Sequence, residues 1–277
     1  MTGLVFNDIG WEKKTYVMGI INATPDSFSG DGIGEDLEVG ISLALSFFDS
    51  GADILDIGGE STRPPSLYGN VREISEKEEI DRVIPLIEGI RAKSSGMISV
   101  DTSKSAVAEA AIKAGANIVN DVWALKKDPA MLEVVASEKV YVVLMHNEAN
   151  PNYEDVVYDT IESLKRSVDE AVRGGIPEDL IIIDPGIGFG KDIFQNLEIL
   201  RRLEEYKLIG RPILIGTSRK STIGKILRLP IQERTYGTAA TVAIAIAKGA
   251  NIVRVHDVAE MAQVCIMSDA VIRGRAQ

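Results

Sequence analysis

Eight short apolar runs in this chain each end on a polar residue able to bind or react. The ends are Asn22, Asp56 with Glu60, Asp101, Asn120, His146, Asp184, the stretch from Thr217 to Lys220, and Arg254 with His256. One polar residue after an apolar run is most simply the cap of the next helix. Eight of eight is more than capping requires. The chemistry of these ends also divides. Asp101, Asn120 and Asp184 supply acceptors and one amide, a set suited to the edge of a flat heterocycle. Two adjacent N–H donors on such an edge match a carboxylate bidentately. Lys220, Arg254, Arg63 and His256 supply positive charge on the other side. Together the two sets fit a neutral, donor-rich ring joined to an anionic tail, with phosphate the obvious tail. Arg219, next to Lys220, reads equally well as a solvated charge.

The first two runs are followed by long segments rich in Gly, Pro and Ser, at 23–35 and 58–74. Loops this long at a catalytic face usually act as lids or substrate loops. Asn22, Phe28, Thr62 and Arg63 lie in or beside them.

Stepping outward, β-branched runs alternate with helical patterns along the whole chain. Strands are predicted at 16–21, 53–57, 97–101, 117–120, 140–146, 180–184, 212–216 and 251–256. Helices are predicted near 36–50, 75–93, 104–114, 129–138, 154–173, 195–205, 233–248 and 257–273. Eight strands, each followed by a helix, predict an α/β fold: a single-domain (β/α)8 TIM barrel over 1–277. Residues 1–14 read as an N-terminal extension, and 23–35 and 58–74 as mobile active-site loops. A doubly wound open sheet is the competitor, but it has fewer strands and a different ligand loop. Gly51, Gly115 and Gly249 each stand between a helix and a strand, where a left-handed turn is predicted. In a barrel the polar strand ends all open on one mouth.

Composition narrows the class. The 277 residues (30.0 kDa) suit a barrel of about 250 residues. A net charge of −11 and a pI near 4.8 argue against nucleic acid or an anionic membrane as partner. One cysteine, Cys265, excludes an internal disulfide framework and a two-cysteine zinc site. Two histidines exclude a three-histidine zinc site. Neither a secretory leader nor a membrane-spanning run is visible, so a cytoplasmic location is expected. Two weaker patterns are set aside. Gly186-Ile-Gly-Phe-Gly-Lys-Asp192 is one residue short of a nucleotide phosphate loop and has Asp where Ser or Thr would hold magnesium. Asn22-Ala-Thr24 is a formal glycosylation triplet with no meaning in the cytoplasm.

Seven ordered motifs resemble the dihydropteroate synthase family. They are Met18-Gly-Ile-Ile-Asn-Ala-Thr-Pro-Asp-Ser-Phe-Ser29, Gly51-Ala-Asp-Ile-Leu-Asp-Ile-Gly-Gly-Glu-Ser-Thr-Arg-Pro64, Ile98-Ser-Val-Asp-Thr-Ser103, Asn120-Asp121, Asp184-Pro-Gly-Ile-Gly-Phe-Gly190, Ser218-Arg-Lys-Ser221 and Arg254-Val-His-Asp257. The resemblance covers about residues 15 to 273 and implies the barrel fold. It implies condensation of 7,8-dihydropterin-6-ylmethyl diphosphate with 4-aminobenzoate, giving 7,8-dihydropteroate and pyrophosphate in folate biosynthesis. By resemblance, Asp101, Asn120, Asp184 and Lys220 bind the pterin, and Asp101, Lys220 and Arg254 are catalytic. Asn22, Thr62, Arg63, Arg254 and His256 contact the diphosphate, with Asn22 also a ligand to Mg²⁺. Phe28, Pro64 and Ser221 form the aminobenzoate pocket. A homodimer is implied as well, and the family is a sulfonamide target. The apolar segment 238–247 and the last helix, with Met261, Val264, Ile266 and Met267, are candidate interface material. The chain departs from the family pattern after His146, where Asn-Glu-Ala-Asn-Pro151 replaces a basic Gly-Pro-containing loop, and slightly after Arg63.

Three rival readings differ at nameable residues. A pterin-binding methyltransferase domain would need no diphosphate site, so Thr62, Arg63, Ser218 to Ser221, Arg254 and His256 speak against it. A Schiff-base aldolase would use Lys220 as its nucleophile. A non-catalytic pterin binder would have no use for the lid residues.

Overall fold

The structure is a computed structural model and describes residues 9–23, 37–60, 73–148 and 151–274. Among these residues eight parallel strands alternate with helices. The strands are β1 (Tyr16–Asn22), β2 (Ile54–Gly58), β3 (Met97–Asp101), β4 (Ile118–Asp121), β5 (Tyr141–Met145), β6 (Ile181–Asp184), β7 (Leu214–Ile215) and β8 (Ile252–Val255). They are hydrogen-bonded in the order β6-β5-β4-β3-β2-β1-β8-β7. A parallel bridge from Ile183 to Ile213, at the entrance to β7, brings the two ends of the sheet together. The expected (β/α)8 barrel is therefore the observed fold.

The wall helices are α1 (Leu37–Asp49), α2 (Glu76–Arg91), α3 (Ser105–Ala114), α4 (Ala130–Glu138), α5 (Val156–Arg173), α6 (Ile193–Arg201), α7 (Ser221–Leu227), α8 (Thr235–Ala247) and α9 (Val258–Arg273). Two of these differ from the sequence reading. The helix predicted at 195–205 begins earlier, because Asp192 and Gln195 form a reciprocal capping box. It then passes into a 3-10 turn, Leu203–Ile209. The short helix α7 was not predicted. Its seven residues are too few to display a helical period. Among the described residues no helix is long and apolar enough to cross a membrane.

Strand alternation separates two cores. Residues of one parity, such as Leu55, Ile57, Ile98, Val100, Val142 and Val253, pack outward against the helices. Residues of the other parity, Met18, Ile54, Met97, Ile118, Val143, Ile182, Leu214 and Ile252, fill the barrel interior. Side chains two residues apart share a strand face. Thus Ile54 precedes Asp56, Met97 precedes Ser99 and then Asp101, Ile118 precedes Asn120, Ile182 precedes Asp184, and Ile252 precedes Arg254. The interior is apolar at its base and charged toward its mouth.

Described residues of the N-terminal extension belong to this base. Trp11 makes edge contacts with Tyr16 at 5.0 Å and Tyr141 at 5.7 Å, measured between ring centroids. The first part of the extension and most of the two expected loops (24–35 and 61–72) lie outside the described residues. The turns entering β2, β4 and β8 hold Gly51, Gly115 and Gly249 at φ of +101°, +114° and +106°, as their positions require. One part of the interface expectation needs correcting. Met261 is fully buried and is not surface; Val264 is half-buried against the core, and Ile266 and Met267 are exposed.

Candidate active site

Parallel registration places four strand ends level. Asn22 pairs with Gly58, Gly58 with Asp101, and Asp101 with Asn120. A Cβ on Gly58 would stand 3.5 Å from the Asp101 Cβ, so the glycine leaves the space beside the Asp101 carboxylate open. One layer below, Asp56 lies inside the barrel and is fully buried. Its Oδ2 accepts from Asn120 Nδ2 (3.1 Å) and from Arg254 Nε. Arg254 Nη2 donates in turn to Asp101 Oδ2 at 2.7 Å. One guanidinium thus bridges two aspartates across the barrel, a geometry its planar fork suits.

The Oδ1 atoms of Asp56 and Asp101 are buried and have no hydrogen-bond partner among the described residues. A buried acceptor left unpaired costs about 1–3 kcal/mol. The site therefore favours a ligand that brings N–H donors. Burial pushes the Asp101 carboxyl up to about 7, against the pull of Arg254 and with help from Asp56. Burial also raises Asp184, although Lys220 and the Gly186 N–H oppose the shift. Burial would lower Arg254, but the charges of Asp56 and Asp101 outweigh it and hold it above its ordinary value.

Asp184 closes β6, and its Oδ1 accepts from Gly186 N at 2.7 Å. Lys220 precedes α7 and donates to the Ile187 carbonyl. Its Nζ lies 4.8 Å from the centre of the Phe189 ring, a cation–π arrangement. Burial pushes the Lys220 amine down to about 8, with Asp184 opposing. Ser221 is the first residue of α7, beside Lys220. His256 Nδ1 is 3.0 Å from Ser218 Oγ, and its backbone N–H donates to the same oxygen at 3.1 Å. Arg219 turns away from this cluster: at φ +55° it forms a two-point ion pair with Asp257 (2.6 and 3.2 Å). Its place is structural, not a solvated charge.

The structure thus brings Asp101, Asn120, Asp184, Lys220 and Arg254 to one mouth, with Asn22 in the same row and His256 at the end of β8. Phe28, Thr62, Arg63 and Pro64 lie outside the described residues. His146 is buried behind the site. Burial, together with Lys191 beside it, pushes its imidazole down to about 3, so it is neutral near pH 7. Two groups, Phe189 and Lys191, were not singled out from sequence as site residues. Asp56 stood among the polar strand ends without a role; its inward parity, shared with Ile54, is what aims it into the barrel. Phe189 lies within the family-like motif Asp184–Gly190 and Lys191 directly follows it, but the sequence assigned neither side chain a role. Lys191 Nζ donates to the carbonyls of Phe189 (2.9 Å) and Gly186 (3.1 Å).

For Mg²⁺ the donor chemistry can be judged directly. Among the described residues no group of three His, Cys, Asp or Glu side chains could hold a metal ion. Magnesium is commonly bound through one or two protein oxygens together with substrate phosphates. The single amide oxygen of Asn22 at the barrel mouth fits that mode and does not form a protein cage.

Residues 18–256 match the pterin binding enzyme family. The dihydropteroate synthase of Bacillus subtilis is 48% identical over 264 residues, spanning 95% of this chain and 91% of that one. The Clostridium difficile dihydropteroate synthase solved in the presence of pteroic acid superposes with a TM-score of 0.89 at 46% identity, covering 94% of this chain and 98% of that one. The Xanthomonas albilineans dihydropteroate synthase in complex with 7,8-dihydropteroate gives a TM-score of 0.84 at 40% identity, covering 94% of each chain.

Proposed function

This chain belongs to the dihydropteroate synthase family of pterin binding enzymes, and from that premise we propose that it condenses its substrates at the barrel mouth by a dissociative route. As a transferase of this family it joins 7,8-dihydropterin-6-ylmethyl diphosphate to 4-aminobenzoate. The bond between the exocyclic methylene and the diphosphate oxygen breaks first, and its electron pair leaves with pyrophosphate. The resulting cation is shared with the pterin ring. The arylamine nitrogen then attacks the methylene carbon and gives up a proton. A neutral amine needs no general base to attack a cation, which fits a site without a histidine–carboxylate dyad among its described residues.

The observation that carries this reading is the Asp101 carboxylate: one oxygen held by Arg254, the other without a partner among the described residues, at the level of Gly58 and Asn120. We assign Asp101, Asn120, Asp184 and Lys220 to the pterin. The amino and N3–H edge of that ring is the guanidine-like edge a carboxylate such as Asp184 takes bidentately. Asp101 faces the nascent cation and stabilises it electrostatically. Arg254, His256, Asn22, Thr62 and Arg63 take the diphosphate; Phe28, Pro64 and Ser221 line the aminobenzoate side. Asn22 would hold Mg²⁺ with the diphosphate, and the ion would supply charge neutralisation on the leaving oxygens. A homodimer, a cytoplasmic setting and binding of sulfonamides in the aminobenzoate pocket belong to the same proposal. A Yersinia pestis relative at 38% identity has been solved with a sulfonamide drug complex, which supports the last of these.

The test is pyrophosphate release from the dihydropterin diphosphate with Mg²⁺, with and without 4-aminobenzoate. Sustained release should depend on aminobenzoate, which captures the cation, and should yield dihydropteroate. Asp101→Asn should lower kcat by about 10²-fold or more, the scale of losing one aimed electrostatic group. Tight pterin binding without release would favour the binder or methyltransferase readings.

A further inference from the structure

The loop after β6 touches two of the proposed pterin contacts, Asp184 and Lys220, yet every second residue of it from 186 to 190 is glycine. Gly186, Gly188 and Gly190 all have positive φ, at +73°, +82° and +58°. Such a segment has little conformational preference of its own. Its position must be set from outside. Lys191 supplies that constraint. An ammonium group has three donors and no acceptor. Here it meets Phe189 O at 2.9 Å, His146 Nδ1 at 3.0 Å, Gly186 O at 3.1 Å and, more distantly, His146 O at 3.4 Å. Burial pushes the Lys191 amine down to about 7, with Asp184 opposing; where it is protonated, His146 Nδ1 is the acceptor of that pair, which puts the imidazole proton on Nε2. No carboxylate is among these hydrogen-bond partners. They belong to the loop itself and to the end of β5, so the lysine ties one to the other. The remaining groups of the same loop touch the pterin set. Gly186 N–H donates to Asp184, Ile187 O accepts from Lys220, and the Phe189 ring lies under the Lys220 ammonium.

We propose that Lys191 is a positioning residue for the pterin pocket: it fixes the 186–191 loop, and the loop fixes Lys220 and Asp184. Its Nζ is committed to backbone and imidazole, so it acts through its neighbours and does not ligate substrate. The proposal rests on the reading of Lys220 as a pterin contact.

The experiment is a double-mutant cycle read as the Kd of the dihydropterin diphosphate, using the full chain, with Lys191→Met, Lys220→Met and both. Methionine keeps the apolar stem and removes the donors. Lys220→Met should weaken binding. Lys191→Met should weaken it by about tenfold, the scale of charge-assisted hydrogen bonds whose loss releases the contacts beyond. The double variant should be weaker than Lys220→Met alone by clearly less than tenfold, because the path through Lys220 is already lost and only the one through Asp184 remains. A merely structural lysine would lower Tm and leave Kd unchanged. A lysine that itself touches substrate would weaken binding additively. Either result overturns the proposal while leaving the function intact. An unchanged Kd in Lys220→Met overturns the reading of Lys220 and the proposal with it. If Lys191→Met does not fold, Lys191→Gln keeps a donor head on a shorter stem and should show the same coupling to Lys220 at smaller size.

Discussion

Asp101 is under two opposed pressures. Burial favours its neutral acid, and Arg254 favours its carboxylate; burial wins, and the group sits near 7. Lys220 is displaced the other way, down to about 8. If the pterin is bound by Asp101 ionised and Lys220 protonated, both forms coexist in the free protein only in a narrow interval. Below about 7 the carboxylate is lost, and above about 8 the ammonium is lost. The value of kcat/KM for the dihydropterin substrate reports free-enzyme ionisations. Its profile should therefore be a narrow bell with limbs near 7 and 8. Lys220→Met should have lower activity throughout and lose the limb near 8, keeping at most one near 7, where Lys191 gives up its proton. A wild-type profile flat from pH 6 to 9 would contradict the assignment of both groups. At this scale the sequence was informative where chemistry and position coincide. Asp101, Asn120, Asp184, Lys220 and Arg254 each end an apolar run or follow one closely. Asp56 ends such a run too, yet its task is internal, holding Asn120 and Arg254, and only the three-dimensional pairing shows that.

The loop after β6 shows what an element adds to its residues. A Cβ on Gly186 would lie 2.0 Å from the His146 carbonyl oxygen, a contact no side-chain rotation relieves. Gly210 has nearly the same φ, +71° against +73°, but nothing stands within 4 Å of a Cβ there. The pair separates backbone preference from collision. Gly210→Ala should cost about 1 kcal/mol, the ordinary penalty of a left-handed alanine. Gly186→Ala should cost roughly 3 kcal/mol by denaturant unfolding, or else move the loop and weaken pterin binding at unchanged stability. Equal unfolding energies with equal pterin affinity would show that the collision is absorbed elsewhere. The strands and most helices were legible because hydrophobic periodicity and glycine punctuation state them locally. Helix α7 was not, being two turns long. Nor was the role of the 186–191 loop, because its shape depends on Lys191 meeting acceptors from β5, some 45 residues away in sequence.

At the scale of the molecule, the barrel's charged mouth and its apolar flank are separate surfaces. Met267 and Val271 are one helical turn apart on α9 and about two-thirds exposed, at 64% and 71%. Ile266 and Ile272 are exposed on the same helix, and Ile244 on α8, which packs against it. Scattered apolar side chains are normal on a soluble surface. If the proposed homodimer uses Met267 and Val271, a two-fold pair would cover them with their own copies, since such an interface uses one patch on both partners. Sedimentation should then report about twice 30.0 kDa. Met267→Asp should shift the particle to a single chain, because a carboxylate buried against its own symmetry mate would be both desolvated and repelled. The aminobenzoate and pterin KM values should change little, since the substituted position is on the wall and none of the mouth residues is on α8 or α9. A wild-type chain that sediments as a monomer would leave this flank without its proposed partner. A Met267→Asp variant that remains a dimer would place the interface on another face of the barrel.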